Sequence, residues 1–169
     1  MAFSLEQATR AQRPLLAVML SDCLRELGAD GDYPYLPLYW REVGRYPYLI
    51  LSDRQTAGFA LVRCLDSATV EMAEFYVKPE WRHTGLGQRA AHALFTQHPG
   101  GWSLSVSPDN PRGLAFWRAV IPAGATTEPL SAPDAIMQCV FHPRRAERHI
   151  TFILLWQGKP IRSLLLSLS

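Results

Sequence analysis

From Leu15 to Leu27 the apolar positions recur at helical spacing: Leu15, Leu16, Val18, Met19, Cys23, Leu24 and Leu27. This periodicity predicts an amphipathic helix. Pro14 does not belong deep inside a helix, so it marks the start. Gly28 ends the helix and Gly31 confirms the break. Upstream, Ala2–Leu5 suits a short edge strand, and Thr9 with Gln12 has capping-box spacing. After Tyr48 the pattern changes. Tyr48–Ser52 and Ala57–Leu65 read as strands, and the polar turn Asp53-Arg54-Gln55 makes them a hairpin. Thr69–Val77 is a third strand, stopped by Pro79. Gly85–Gln97 returns to helical spacing through Leu86, Ala90, Ala93 and Leu94, and His98-Pro99-Gly100-Gly101 terminates it. Trp102–Val106 is a strand. Asn110 followed by Pro111 opens a helix that runs to about Val120. Ile136–Phe141 is the last strand of the series. The order β-α-β-β-β-α-β-α-β predicts an α/β fold, a mixed sheet with helices on both faces.

Composition narrows the function. The 169 residues hold 48% hydrophobic and 19% charged positions, a globular balance with length enough for one sizeable core. Lys and Arg number 17 against 15 acids, and no basic stripe is present, so a nucleic-acid partner is not expected. The longest apolar stretches, Ile150–Trp156 and Leu164–Leu168, fall far short of a membrane span. The opening MAFSLEQATR has an early acid and no apolar core of signal-peptide length, so the expected location is cytoplasmic. Cys23, Cys64 and Cys139 are odd in number and far apart, which argues against a disulfide framework; each sits among apolar neighbours and reads as a small core residue. The five histidines form no ligand pair on one helix face, so no metal is expected. Neither GxSxG nor a phosphate-loop GxxxxGK motif occurs.

The informative stretch is Glu74-Phe-Tyr-Val-Lys-Pro-Glu-Trp-Arg-His-Thr-Gly-Leu-Gly87. A strand runs into a turn carrying Arg82, Gly85 and Gly87, and a helix follows. Glycines let backbone approach a ligand closely. The first amides of a helix are unpaired, and with the helix dipole they attract an anion such as a pyrophosphate. Arg82 adds a positive charge there. On spacing alone, a glycine-rich turn that merely lets strand and helix pack explains the pattern too. A dinucleotide fingerprint does not fit, because Ala90 follows Gly87 only after Gln88 and Arg89.

Arg82-His-Thr-Gly85-Leu-Gly87 resembles the Arg/Gln-x-x-Gly-x-Gly/Ala signature of the GCN5-related N-acetyltransferases, the GNAT superfamily. Val77-Lys-Pro79-Glu-Trp resembles the segment that leads into it. Asn110-Pro-Arg-Gly-Leu-Ala115-Phe116-Trp117 resembles the superfamily's Asn-x-x-Ala-x-x-Phe-Tyr motif. More narrowly, Tyr33-Pro-Tyr-Leu, Tyr39-Trp40, Gly58-Phe-Ala-Leu-Val62 and Glu74-Phe-Tyr-Val77 resemble a bacterial branch of predicted acetyltransferases. The resemblance covers roughly residues 3–142. It implies a mostly antiparallel central sheet and an acetyltransferase domain over residues 1–142.

The resemblance further implies acetyl-CoA as cosubstrate and an amine acceptor, small molecule or peptide. The backbone of Arg82, His83, Thr84, Gly85, Leu86, Gly87 and Gln88 would cradle the pyrophosphate. The strand edge at Phe75, Tyr76 and Val77 would pair with the pantetheine arm, and an amide near Tyr76 or Val77 would polarise the thioester carbonyl. Asn110 would contact the cofactor arm, although a plain helix cap explains it as well. Trp117 falls where the family carries a tyrosine general acid, and an indole does not protonate a thiolate. The amine must be deprotonated before attack, and a carboxylate is the usual base. Glu71 and Glu74 are the candidates, with Glu74 favoured. Their odd separation puts them on opposite faces of a regular strand, and a bulge would change that. Tyr33, Tyr35 and Tyr39 fall where the family builds one wall of the acceptor site, and packing is the alternative role.

Residues 143–169 lie outside the resemblance. Arg144, Arg145, Arg148 and His149 form a basic run, and Gln157-Gly-Lys-Pro160 between apolar stretches reads as the turn of a hairpin. Its apolar residues need cover, either from this domain or from a second copy in a homodimer. Two functions fit the chain as a sequence. One is an acetyl-CoA-dependent N-acetyltransferase acting by direct attack of the amine. The other is a non-catalytic acyl-CoA-binding sensor or interaction module on the same fold.

Overall fold

The computed structural model describes residues 2–29, 32–106, 110–121, 137–141, 155–156 and 159–160. The chain divides into two compact units, Met1–Cys64 with Met72–Leu94, and Leu65–Glu71 with Phe95–Ser169. The fold class is α/β, with a mostly antiparallel sheet and helices, as the pattern predicts.

In the first unit β1 (Phe3–Gln7) precedes helix α1 (Arg13–Glu26), and β2 (Arg45–Ser52) and β3 (Gln55–Cys64) follow. The unit also holds the Met72–Val77 part of β4 (Thr69–Val77) and most of α2 (Leu86–Gln97). The strands lie in the order β1-β2-β3-β4. β1 and β3 both run antiparallel to β2. Pro14 occupies the first turn of α1, where its missing N–H costs nothing.

β2 begins at Arg45, three residues before the expected Tyr48. The disguise is Pro47, a residue that argues against a central strand. Its carbonyl accepts from the Ala8 amide at 2.8 Å, so its nitrogen faces the same edge, just beyond the end of β1. The Ala8 carbonyl, which would face that nitrogen, accepts instead from the Trp40 indole N–H at 2.9 Å, so no acceptor is left unmet. The β2–β3 turn is two residues long, with Ser52 opposite Gln55. Asp53 and Arg54 both have positive φ, 48° and 66°, as a type I′ hairpin turn requires.

Helices cover both faces of the sheet within this unit. Leu16, Met19, Leu20 and Cys23 of α1 pack with Leu49, Phe59, Leu61 and Tyr76. Leu86 and Ala90 of α2 pack with Ile50 and Ala57, and Phe75 and Val77 border that second cluster. Ala57 lies on the α2 side although Phe59 and Leu61 lie on the other. The register shifts between Ile50, opposite Gly58, and Leu51, opposite Thr56, which leaves Ala57 as the extra residue of a bulge. A second break in alternation lies in β4. Ala73 and Tyr76 are an odd number apart, yet both pack on the α1 side.

In the second unit β5 (Gly101–Val106) pairs antiparallel with β6 (Met137–Phe141), and α3 (Pro111–Val120) lies between them in sequence. Trp102 is fully buried, its ring 5.0 Å from Phe95, and its indole N–H donates to the His98 carbonyl at 3.0 Å. β7 (Leu155–Trp156) pairs with β8 (Lys159–Pro160), so Lys159 and Pro160 are in the ladder and not in the turn. The basic run and the other apolar stretches of the tail lie outside the described residues, as does the side chain of Cys139. Cys23 is buried as expected, whereas Cys64 is exposed at the end of β3, where the strand leaves the core.

Candidate active site

β4 ends at Val77 and the chain turns through a short 3-10 helix, Pro79–Trp81. His83 and Gly85 both have positive φ, 60° and 81°. The Thr84 hydroxyl donates to the Trp81 carbonyl at 2.7 Å and closes the turn. Leu86 is fully buried and anchors the first turn of α2, while His83, Thr84, Gly85 and Gln88 are exposed. The first bond into the helix runs from the Arg89 amide to the Gly85 carbonyl, 3.1 Å. The amides of residues 85–88 therefore stand outside the helical ladder, as at any helix start. A Cβ built at Gly85 meets nothing within 4 Å, so the space beside this residue of the turn is open. This geometry fits an anion held by backbone.

The Arg82 side chain turns away from that task. Its Nε donates to the Val77 carbonyl at 2.8 Å. Its Nη2 donates to both oxygens of Glu26, at 2.7 and 3.0 Å. The guanidinium lies 5.5 Å from the centre of the Tyr76 ring, and the Tyr76 hydroxyl donates to Glu26 Oε1 at 3.2 Å. Sequence reasoning assigned Arg82 a charge beside the anion site. The structure shows that this charge is matched by a carboxylate from α1. Sequence reasoning missed Glu26. One signal was available: an acid in the last turn of a helix opposes the helix dipole and calls for a compensating cation.

Glu74 lies on the α1 side with the tyrosines. The Tyr33 hydroxyl donates to its carboxylate, and burial with that neighbouring charge pushes the Tyr33 phenol far above its usual range. Burial and the charge of Glu74 also push the Cys23 thiol up to about 12. Burial and the Glu26 charge push Tyr76 up to about 12. Tyr39 is buried in the same cluster, with the Arg45 guanidinium 5.3 Å from its ring centre. Tyr35 stays exposed, its ring edge-on to Tyr33 at 5.7 Å. Glu74, Tyr33, Tyr39 and Tyr76 are thus brought together with Cys23, Glu26 and Arg82.

The backbone of β4 approaches β3 closely here. A Cβ added at Gly58 would sit on the Tyr76 carbonyl oxygen. The Lys78 amide donates to the Ala57 carbonyl at 2.8 Å. Residues 76 and 78 therefore turn their polar groups toward β3. By alternation, the amide and carbonyl of Val77 point to the opposite edge, which is where Arg82 reaches the Val77 carbonyl.

The model of the Acetyltransferase (GNAT) family matches residues 14–120, which include this whole arrangement and more than half of the chain. The chain belongs to the GNAT acetyltransferase family.

Solved structures of acetyltransferases share its fold. An acetyltransferase from Thermus thermophilus is 16% identical over 84% of this chain and 97% of its own, with a TM-score of 0.67. PaiA N-acetyltransferase from Thermoplasma acidophilum, in complex with coenzyme A, is 17% identical over 82% and 98%, with a TM-score of 0.58. An aminoglycoside acetyltransferase from an uncultured soil metagenomic sample, in complex with sisomicin, is 12% identical over 77% and 93%, with a TM-score of 0.60. The search of curated proteins found no match.

The remaining candidate residues, Glu71, Asn110 and Trp117, lie in the second unit. Glu71 is buried in β4. Asn110 caps α3, its Oδ1 accepting from the Gly113 amide at 2.9 Å. Trp117 is buried on α3, its ring 4.9 Å from Phe116 in an edge-on contact. Among the described residues no group of three or more His, Cys, Asp or Glu is placed to hold a metal ion, and no helix is long and apolar enough to cross a membrane.

Proposed function

We propose that this GNAT protein is an acetyl-CoA-dependent N-acetyltransferase that acetylates a primary amine by direct attack. The observation that carries the proposal is the Arg82–Gln88 turn, with its left-handed Gly85, helix-start amides outside the helical ladder and buried Leu86 anchor. The residues fit the group: a side chain at Gly85 would enter the open space beside the turn and hold a strained φ. Acetyl-CoA, when bound, supplies an activated thioester. The amides of residues 83–88 hold its pyrophosphate, and the strand edge at Phe75–Val77 receives the pantetheine arm. The Val77 amide, on the edge away from β3, is the oxyanion donor, in preference to Tyr76. Glu74 takes the proton from the incoming ammonium, and Tyr33 holds the carboxylate in place. Glu71 is the alternative base. The C–N bond would form as the thioester C–S bond breaks, and the departing thiolate would take up the proton that the attacking nitrogen releases. Tyr33, Tyr35 and Tyr39 line the acceptor side, and their faces suit a cationic amine, small or on a peptide. Residues 1–142 form the catalytic domain and 143–169 an extension, available for pairing with a second copy.

A second reading, a non-catalytic acyl-CoA sensor, draws support from Trp117, whose buried indole replaces the family's tyrosine acid. The test is a thermal-shift titration with acetyl-CoA, CoA and ATP, followed by thiol release over a panel of amines. Ligand at 100 times Kd stabilises by about 2.7 kcal/mol. A shift with the CoA compounds and thiol release with an amine supports the enzyme. A shift with no release from any amine supports the sensor. No shift with folded protein refutes both.

A further inference from the structure

We infer that Glu26 is a positioning residue for cofactor binding, acting through Arg82 as a brace between α1 and the pyrophosphate turn. The inference rests on the proposed acetyl-CoA reading of that turn. Glu26 is the last residue of α1, where the helix's own partial negative charge disfavours a carboxylate. Its stabilising partner arrives from 56 positions away in sequence. Both oxygens accept from Arg82 Nη2, and Oε1 also accepts from the Tyr76 hydroxyl. The same guanidinium donates through Nε to the Val77 carbonyl. One cation thus fixes the end of α1, the end of β4 and the first residue of the turn.

The arrangement decides between two roles for Arg82. As a free cation aimed at the pyrophosphate, Arg82 would be weakened by Glu26, and removing the carboxylate would tighten binding. As a brace, Arg82 needs Glu26, because the guanidinium is held by it and the amides of the turn are ordered in consequence. With Nε and Nη2 both committed to protein oxygens, and the side chain only 25% exposed, the geometry is that of a brace. Charge-assisted bonds of this kind are among the stronger ones, and Arg presents them in a fixed fork that Lys lacks.

The test compares coenzyme A binding by calorimetry in the wild-type full chain, Glu26→Gln, Arg82→Lys and the double variant. The unliganded unfolding midpoint of each is measured alongside. Glu26→Gln is expected to weaken coenzyme A about tenfold while the midpoint stays within a few degrees. The double variant should bind no worse than Arg82→Lys alone, since both changes break one unit. Tighter binding by Glu26→Gln overturns the brace in favour of a free cation. Unchanged affinity with a lowered midpoint overturns it in favour of plain structural support. Should Glu26→Gln fail to fold, Tyr76→Phe, which removes one donor to the same carboxylate, is expected to weaken binding about twofold; no change would overturn the proposal. Absence of binding by the wild-type chain defeats the acetyl-CoA reading itself, a different failure from any of these.

Discussion

Gly58 offers a test in which two opposing effects differ in sign. In most strands, glycine to alanine stabilises by about 0.5–1 kcal/mol, because the unfolded chain loses freedom. At Gly58 the added Cβ would overlap the Tyr76 carbonyl oxygen and crowd the Val77 Cα. The obstacle is backbone, so no side chain can swing aside, and the carbonyl must retreat by the better part of an ångström. Overpacking of this kind costs about 1–3 kcal/mol. The net expectation for Gly58→Ala is a loss of about 1–2 kcal/mol, or a fall in Tm of about 2–8 °C. Activity should suffer more than stability. The displaced carbonyl belongs to the residue before Val77, and a misplacement of about 1 Å in a site can cost about 100-fold in rate. Calorimetric melting and kcat/KM for acetyl-CoA measure the two effects. An unchanged or raised Tm would show that the two strands have room between them, and the close approach would be wrong.

Tyr33→Phe removes the donor to the Glu74 carboxylate, so the acidic limb of the kcat/KM profile should move to higher pH; an unmoved limb separates Tyr33 from the base. Asn110→Ala removes the cap at the Gly113 amide and should cost about 1 kcal/mol in chemical denaturation, whatever else Asn110 contributes. Alkaline stability has a defined sign. Cys23, ordinarily 9.0, and Tyr48 and Tyr76, ordinarily 10.0, all rise to about 12 in the folded chain, chiefly through burial. The unfolded chain therefore loses these protons first, and stability is full below about pH 9 and falls above it. Denaturant titrations from pH 8 to about pH 11 should show that decline, and Cys23→Ala should delay its onset; a flat profile refutes the burial of these groups.

Local signals in the sequence located the elements well, and long-range pairings escaped it. Pro14 and Asn110 announced helix starts through backbone chemistry that operates within a few residues, and both lie where expected. The Gly85 and Gly87 spacing announced the turn for the same reason. Pro47 misled about the start of β2, because whether a missing N–H matters depends on where β1 stops. Cys64 misled because apolar neighbours in sequence do not ensure burial at a strand end. The Glu26–Arg82 pair was illegible as a pair, since nothing local links positions so distant. The same holds for Tyr33 and Glu74: residue type suggested roles for each, and only the packing of α1 against the sheet joined them.

The two-residue turn at Asp53 and Arg54 bears on how the chain finds its structure. Hairpins with such short loops close in about 1–10 μs, long before distant strands meet. β3 is therefore expected to zip onto β2 early, while β1 and α1 must return across a far longer loop. Arg54, unlike Asp53, is not a residue type that adopts left-handed backbone readily. Relieving that resistance with Asp53→Asn and Arg54→Gly should raise the folding rate and leave unfolding almost untouched, a pattern the two arms of a chevron plot report separately. The kinetic nucleus would then be the β2–β3 ribbon, with Gly58 already in place to receive β4.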